Sequence, residues 1–143
     1  MGDPSSVPVI NSHGIANKKF IELAGDAANN IVFPAGKLTV AADLPDSDPQ
    51  KTLLMAYAKE FEAKYGKSAD TFGGHAYDAL TLVTKAIEEG AVTRQDIRDA
   101  VEKMQGIVGT GGVFNLSAQD HNGLGKGSVV MVRIVDGEWV WEK

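Results

Sequence analysis

The polar loop Asn11-Ser12-His13-Gly14 holds the side chains best placed to bind a ligand. It follows a short apolar run and precedes a helix-forming segment, and open α/β sheets bind their ligands beyond the carboxyl ends of the strands. His13 is the main candidate because an imidazole can donate or accept a hydrogen bond near neutral pH. The alternative is an ordinary solvated loop histidine. Ser12 and Asn11 are further candidates because they are adjacent in the same loop.

Phe72 is the second candidate ligand contact. Gly73 and Gly74 follow it directly, so a ligand or another backbone segment could come close just before a helix. Phe72 could then form the apolar wall of a binding pocket, and a core phenylalanine beside a glycine turn is an equally good interpretation. Tyr77 lies one position from the apolar stripe of its helix, which indicates a packing residue.

Motifs for metal, nucleotide and hydrolase chemistry are missing from the sequence. His13, His75 and His121 lie far apart, and none forms an i, i+4 pair with a glutamate between. The glycine runs at residues 109–112 and 123–127 lead into strands, so they are interpreted as turns and not as phosphate-binding loops. There is no G-x-S-x-G motif. We therefore expect no metal, no cofactor and no enzymatic activity.

The composition narrows the class of protein further. The chain has 143 residues with 43% hydrophobic content, which suits one ordinary domain with a real core. Its 14 basic and 19 acidic residues give a net charge of -5 without a basic cluster, which argues against nucleic acid as a partner. No apolar run approaches the roughly 20 residues that cross a bilayer. Cysteine is absent, which excludes disulfides.

The first third of the chain alternates between predicted strands and a helix. Residues 8–10 read as a short strand, residues 16–24 as a helix, and residues 30–34 as a second, buried strand. Short apolar strands of this kind favour parallel pairing. Residues 35–46 lack a clear period and are interpreted as a hinge or crossing that can include a short strand at residues 38–40.

Three helices are predicted next. The first opens at Asp48-Pro49 and ends at Gly66, the second covers residues 74–88, and the third begins after Thr93, whose hydroxyl can cap it. The helical period of the second places one set of apolar residues toward the core: Ala76, Leu80, Val83 and Ile87. The same argument for the third selects Ile97, Ala100, Val101 and Met104.

The chain is predicted to end in β structure. Residues 113–114 form a short strand and residues 128–135 a long one. Asp136-Gly137 is a two-residue turn of the kind that matches the twist of a hairpin, and it leads into a last strand at residues 138–141.

Several segments occur in an order that resembles one protein family. They are residues 9–14, 20–28, 31–33, 61–66 and 76–80, followed by the Asp136-Gly137 hairpin. This order is similar to the carboxyl-terminal part of the leucine/isoleucine/valine-binding protein family, over residues 7–143. Members are the type I periplasmic substrate-binding components of ABC importers. They have two α/β lobes joined by several crossings, with the ligand between them.

The resemblance implies an α/β chain with the three-layer, type I periplasmic-binding-protein-like fold, of which the carboxyl-terminal portion contributes to both lobes. Residues 1–6 are interpreted as a cloning remnant. Residues 7–36 would belong to ligand-binding lobe 2, residues 37–126 to lobe 1, and residues 127–143 to a terminal hairpin that returns to lobe 2. The chain would then lack the amino-terminal half, including the segment that in the family holds the carboxylate of an amino acid.

The implied function is a solute-binding component that delivers its ligand to a membrane permease from the periplasm or another extracytoplasmic compartment. By the resemblance, His13 occupies the loop position where amino-acid binders commonly place an acidic residue against the ligand's ammonium. Because an imidazole can instead donate to a carboxylate or carbonyl, we expect an amino acid, a small carboxylate, aromatic ones included, or an amide-like solute. Phe72 falls where the family presents an aromatic wall.

Other functions remain open at this point. One is a ligand-sensing regulatory receptor of the same fold. Another is a small α/β enzyme that uses His13 as acid or base beside Glu22 or Asp26, and a third is an interaction module. We also expect the isolated chain to self-associate, because elements that normally pack on the missing half would expose apolar surface.

Overall fold

In the computed structural model, which describes residues 11–143, the chain divides into a sheet part and a helical part. The predicted strand at residues 8–10 lies outside the described residues. The helices and strands, in chain order, are α1 (Lys18–Ala24), β1 (Val32–Gly36), α2 (Lys51–Tyr65), α3 (Thr71–Glu88), α4 (Arg94–Val101), β2 (Ile107–Val108), β3 (Val113–Phe114), β4 (Val129–Val135) and β5 (Glu138–Trp141).

The sheet part is a three-stranded antiparallel sheet in the order β1-β4-β5. Val32 lies opposite Arg133, and Gly36 lies opposite Val129. The expectation of parallel pairing for the strand at residues 30–34 is therefore wrong, since within residues 11–143 this strand pairs antiparallel with β4. An apolar run reports that a strand is buried, but its direction depends on a partner strand that comes from the other end of the chain. The short strands β2 and β3 form a separate antiparallel pair.

Apolar side chains hold α1 against the sheet. Phe33 is fully buried and makes an edge-on contact with Trp139, with ring centroids 5.5 Å apart. Phe20 and Ile21 of α1 pack against the same cluster. Complete burial of a large apolar side chain contributes about 1.5–3 kcal/mol. The other fully buried members from the strands are Ala35, Val132 and Ile134.

The connection after β1 is helical and not extended. Residues Lys37–Asp43 form 3-10 turns, so the strand that residues 38–40 could have formed is absent there. The reason is that the segment packs on two sides. Leu38 and Ala41, three residues apart, face the buried Leu54 of α2, while Val40 joins the cluster of the sheet.

Helix ends follow the local hydrogen-bonding groups. Asp70 accepts a hydrogen bond from the Gly73 N–H, so α3 begins at Thr71, three residues earlier than predicted. Thr93 and Asp96 form a reciprocal capping box at α4, which confirms the predicted start. The inward residues predicted for α4 are confirmed as well, since they pack against the buried Ala86, Ala91, Met104 and Leu116 or belong to that cluster.

The predicted inward face of α3 is wrong. Leu80 is 70% exposed and Ile87 is 54% exposed, and Ala76 and Val83 are exposed with them. We call these four residues the α3 apolar face. The helix instead buries Thr71, Gly74, Asp78 and Ala86. Small and polar side chains are buried because a loop of the chain packs closely on that side, and no element within residues 11–143 covers the apolar side.

The terminal hairpin is confirmed. Asp136 has φ 50° and Gly137 has φ 82°, the two positive angles of a type I′ turn. The turn is also tied to the sheet part, since the Asp136 N–H donates to the Asn29 side-chain oxygen at 2.8 Å.

We expect Gly137→Ala to destabilise the chain by about 1–2 kcal/mol, because an L side chain is strained at positive φ. Steric contact does not contribute, since an added Cβ would lie 3.8 Å from its nearest neighbour, on Ile21. Gly127→Ala is the matched control, because Gly127 lies in a 3-10 turn with nothing within 4 Å of the added Cβ. Urea denaturation of both variants measures the effect, and equal stabilities would contradict the strain argument.

Candidate functional site

Two cavities lie where the sheet part meets the helical part. The first, which we call the outer cleft, has a volume of about 1150 Å³ and lies between α1 and the connection from α2 to α3. Phe72 lines it and is 54% exposed. Trp139 is also part of its lining. Charged side chains of both signs complete the lining: Lys18, Lys19, Glu22, Glu62, Lys67, Asp70 and Glu138.

The second, which we call the inner cavity, has a volume of about 250 Å³. The sheet part contributes His13, the end of β1 and the start of β4 to its lining. The helical part contributes Thr71 and His75 from the first turns of α3, and Thr110 and Gly111 from the loop between β2 and β3. Residues from both parts of the chain therefore border one partly open space.

The predicted site residues divide between these cavities. His13 lines the inner cavity and Phe72 lines the outer cleft, and Leu38 borders both. Ser12 accepts a hydrogen bond from the Gly14 N–H at 3.4 Å, which is a local turn contact. The side-chain nitrogen of Asn11 is buried without a hydrogen-bond partner among residues 11–143. The structure thus brings His13 next to a cavity shared with His75 and does not place it beside Phe72.

A buried carboxylate holds the wall of the inner cavity. Asp78 is 3% exposed and accepts hydrogen bonds from the Thr110 N–H at 2.6 Å, the Gly111 N–H at 2.7 Å and the Thr110 hydroxyl at 3.0 Å. On the other side of the loop, the Gln50 amide donates to the carbonyl oxygens of Gly109 and Thr110. Gln50 is itself only 1% exposed. The loop is therefore fixed from two directions.

Glycines in this loop allow the close approach. A Cβ on Gly109 would lie 2.7 Å from both the Asp78 carboxylate and the Phe114 ring. A Cβ on Gly111 would lie 3.1 Å from the His75 ring. The loop backbone thus reaches Asp78 and His75 together, one turn apart on α3. Sequence analysis missed these residues, although an aspartate within a largely apolar helix was a usable signal.

Two pKa shifts concern residues of the helical part. Burial alone would raise the pKa of Asp48, but the hydrogen bond from Lys37 at 2.7 Å, the Gln50 N–H and the Lys37 charge together lower it. This ion pair ties the connection after β1 to the start of α2. The pKa of Tyr57 is raised, first by burial and then by the negative charges of Asp70 and Asp78.

The described residues offer neither a metal centre nor a membrane span. Within residues 11–143, no three His, Cys, Asp or Glu side chains are grouped closely enough to hold a metal ion. In the same range, no helix combines the length and the apolar character that a bilayer crossing requires.

Comparison with known proteins assigns this chain to a family. A family model described as "Periplasmic binding protein" matches residues 2–138. A search of the curated proteins finds no match.

Solved structures match over nearly the whole chain. An extracellular ligand-binding receptor from Rhodopseudomonas palustris is 29% identical with a TM-score of 0.82, covering 94% of this chain and 40% of its own. The branched-chain amino acid transporter substrate-binding protein LivJ from Streptococcus pneumoniae, solved with isoleucine, is 26% identical with a TM-score of 0.73 over 94% of this chain and 37% of its own.

A leucine-binding protein, LivK, from Thermotoga maritima shares the fold at 24% identity and a TM-score of 0.75, covering 94% of this chain and 36% of its own. The chain therefore spans about 40% of the length of the structures it matches.

We expect Asp78→Asn to destabilise the chain by about 2–4 kcal/mol, because an amide has one acceptor oxygen and would turn its N–H₂ group toward a buried N–H donor. The control is Glu88→Gln, which also removes one negative charge but does so at an exposed position at the end of α3. Urea denaturation compares the two variants. A stability of Asp78→Asn equal to that of the control would show that the carboxylate does not hold the loop.

Proposed function

The chain belongs to the periplasmic binding protein family, a family of non-enzymatic solute-binding proteins, and we propose on this basis that it is part of the solute-binding component of an ABC importer. The ligand is an amino acid or a small carboxylate, aromatic ones included. The protein works in the periplasm or another extracytoplasmic compartment and delivers its ligand to a membrane permease. No bond is made or broken in this process.

The observation that supports this proposal is the inner cavity between the two parts of the chain. His13 and Val129 reach it from the sheet part, and His75 and Thr110 reach it from the helical part. A solute bound there would contact both parts at once. Such contacts exist only when the two parts are close together, so the solute would favour the closed arrangement over an open one.

We assign the two parts to two lobes. Residues 7–36 and 127–143 belong to lobe 2, and residues 37–126 belong to lobe 1, within the three-layer type I fold. The pairing of β1 with β4 and of β4 with β5 supports this division, because it joins the two ends of the chain in one sheet. Domain closure about the crossings between lobes is a common way to enclose a ligand.

Two observations support the proposed chemical class of the ligand. The LivJ relative was solved with isoleucine, which favours an aliphatic amino acid. His13 favours a group that accepts hydrogen bonds, such as a carboxylate, while Phe72 in the adjoining outer cleft would contact an apolar body. Ser12 and Asn11 remain weaker candidates in the same loop as His13.

We expect His13→Ala, in a full-length protein containing this chain, to weaken ligand binding about tenfold while leaving the melting temperature nearly unchanged, since one charge-assisted hydrogen bond is lost from an exposed loop. His121→Ala is the matched control, because His121 contacts Glu102 outside both cavities. Titration calorimetry with leucine, isoleucine and benzoate measures the effect. Equal affinities of the two variants would remove His13 from the site.

We further propose that the isolated chain self-associates through the α3 apolar face, which no element of residues 11–143 covers. Lysine at both Leu80 and Ile87 should shift the chain to monomer, because charges resist burial in an apolar contact. Lysine at Thr52 and Ala63, exposed positions of α2, is the charge-matched control. Sedimentation analysis reports the association state. A parent chain that is monomeric at all concentrations would contradict this proposal.

A further inference from the structure

We propose that the Asn122-Gly123 pair is a site of spontaneous deamidation, and that the side chain of Asp120 restrains this reaction in the folded chain. Of the asparagines in this chain, Asn122 alone precedes a glycine. Asn122 is exposed, so water reaches its side-chain amide. This chemistry is independent of the proposed solute-binding function.

Deamidation joins the asparagine side chain to the peptide unit that follows it. The backbone nitrogen of Gly123 loses its proton and attacks the side-chain amide carbon of Asn122, so that a C–N bond forms and the NH₂ group leaves with a proton as ammonia. Water then opens the cyclic imide at either carbonyl, which gives aspartate or isoaspartate. Glycine favours the ring closure because it has no side chain and a wide range of backbone conformations.

Hydrogen bonds hold the Gly123 peptide unit at both ends. Its N–H donates to an Asp120 side-chain oxygen at 3.0 Å, and the Asn122 N–H donates to the same oxygen at 3.0 Å. Its carbonyl oxygen accepts a hydrogen bond from the Asn115 N–H at 2.8 Å. Because the Gly123 nitrogen must lose its proton before it can attack, a carboxylate oxygen that holds this proton slows the ring closure.

The packing around Gly123 also opposes the rotation that the attack requires. Gly123 is buried with φ 64°, and a Cβ there would lie 2.9 Å from the Leu116 side chain. Asp120 is placed by a tight turn, in which the Ser117 N–H donates to the Asp120 carbonyl oxygen at 2.9 Å and the Asp120 N–H donates to the Ser117 hydroxyl at 3.0 Å. The acceptor and the Gly123 N–H are therefore held together by the local fold.

Deamidation would change the charge of the inner cavity. Asn122 borders this cavity, and among residues 11–143 no residue of the lining is Asp or Glu. The product adds a carboxylate at that position. Isoaspartate also inserts a methylene group into the backbone, directly before the peptide unit that Asp120 and Asn115 hold.

The 143-residue chain itself provides the test, incubated in mildly alkaline buffer so that loss of the backbone proton is faster. Peptide mapping by liquid chromatography and mass spectrometry separates the asparagine, aspartate and isoaspartate forms at position 122. A free peptide of residues 117–127 gives the rate without the fold. Asn30 is an internal control, because it is exposed but precedes the β-branched Ile31, which hinders the attack.

We expect Asn122 to deamidate about tenfold more slowly in the folded chain than in the free peptide, and Asp120→Ala to remove most of this difference. Asp120→Ser should give an intermediate rate, because its hydroxyl can still accept from a nearby backbone N–H, although more weakly. Gln119→Ala, an exposed change in the same turn, is the matched control and should leave the rate unchanged. Melting temperatures and the rate at Asn30 show whether each variant is folded.

Four results would overturn the proposal. The free peptide could fail to deamidate, or the folded chain could react as fast as the peptide. A folded Asp120→Ala variant could keep the parent rate, which would leave Asp120 without a role. It could also react more slowly than the parent, which would make the carboxylate a base that assists the attack. If the alanine variant does not fold, Asp120→Ser and the comparison of chain with peptide decide.

Discussion

The pairing of β1 with β4 determines how the two parts of this protein are connected. In its register Gly36 lies opposite Val129, so the chain leaves the sheet and returns to it at neighbouring points. The helical part between these residues is therefore attached by two adjacent crossings. Such a connection allows rotation of one part against the other with few backbone changes. The inner cavity includes Gly36 and Val129 in its lining, so it lies at the crossings themselves.

Local features of the fold could be predicted from the sequence. Thr93 with Asp96 and the turn at Asp136-Gly137 are short patterns whose geometry depends on a few neighbouring atoms. The direction of β1 could not be predicted, because an alternation of buried residues is the same for parallel and antiparallel partners. Residues 37–43 carried a mixed pattern because they pack against two separate clusters, which only the folded chain defines.

The site and the orientation of α3 were harder to predict, because both depend on tertiary packing between residues distant in the sequence. The apolar period of α3 indicates a buried face, yet within residues 11–143 that face is exposed at Leu80 and Ile87. The buried face carries Asp78, whose three hydrogen bonds with the loop at residues 110–111 arise from sequence-distant partners. Sequence analysis located the loop of His13, but it could not connect His13 with His75. Their shared cavity depends on tertiary packing alone.

A crystal structure of a full-length protein containing this chain, with its solute bound, tests this account most directly. We predict that the solute contacts both parts of the chain at the inner cavity, with a hydrogen bond from His13 and with Leu38 beside its apolar body. A solute that contacts one part alone, or that lies on the α3 apolar face away from the crossings, would contradict the account.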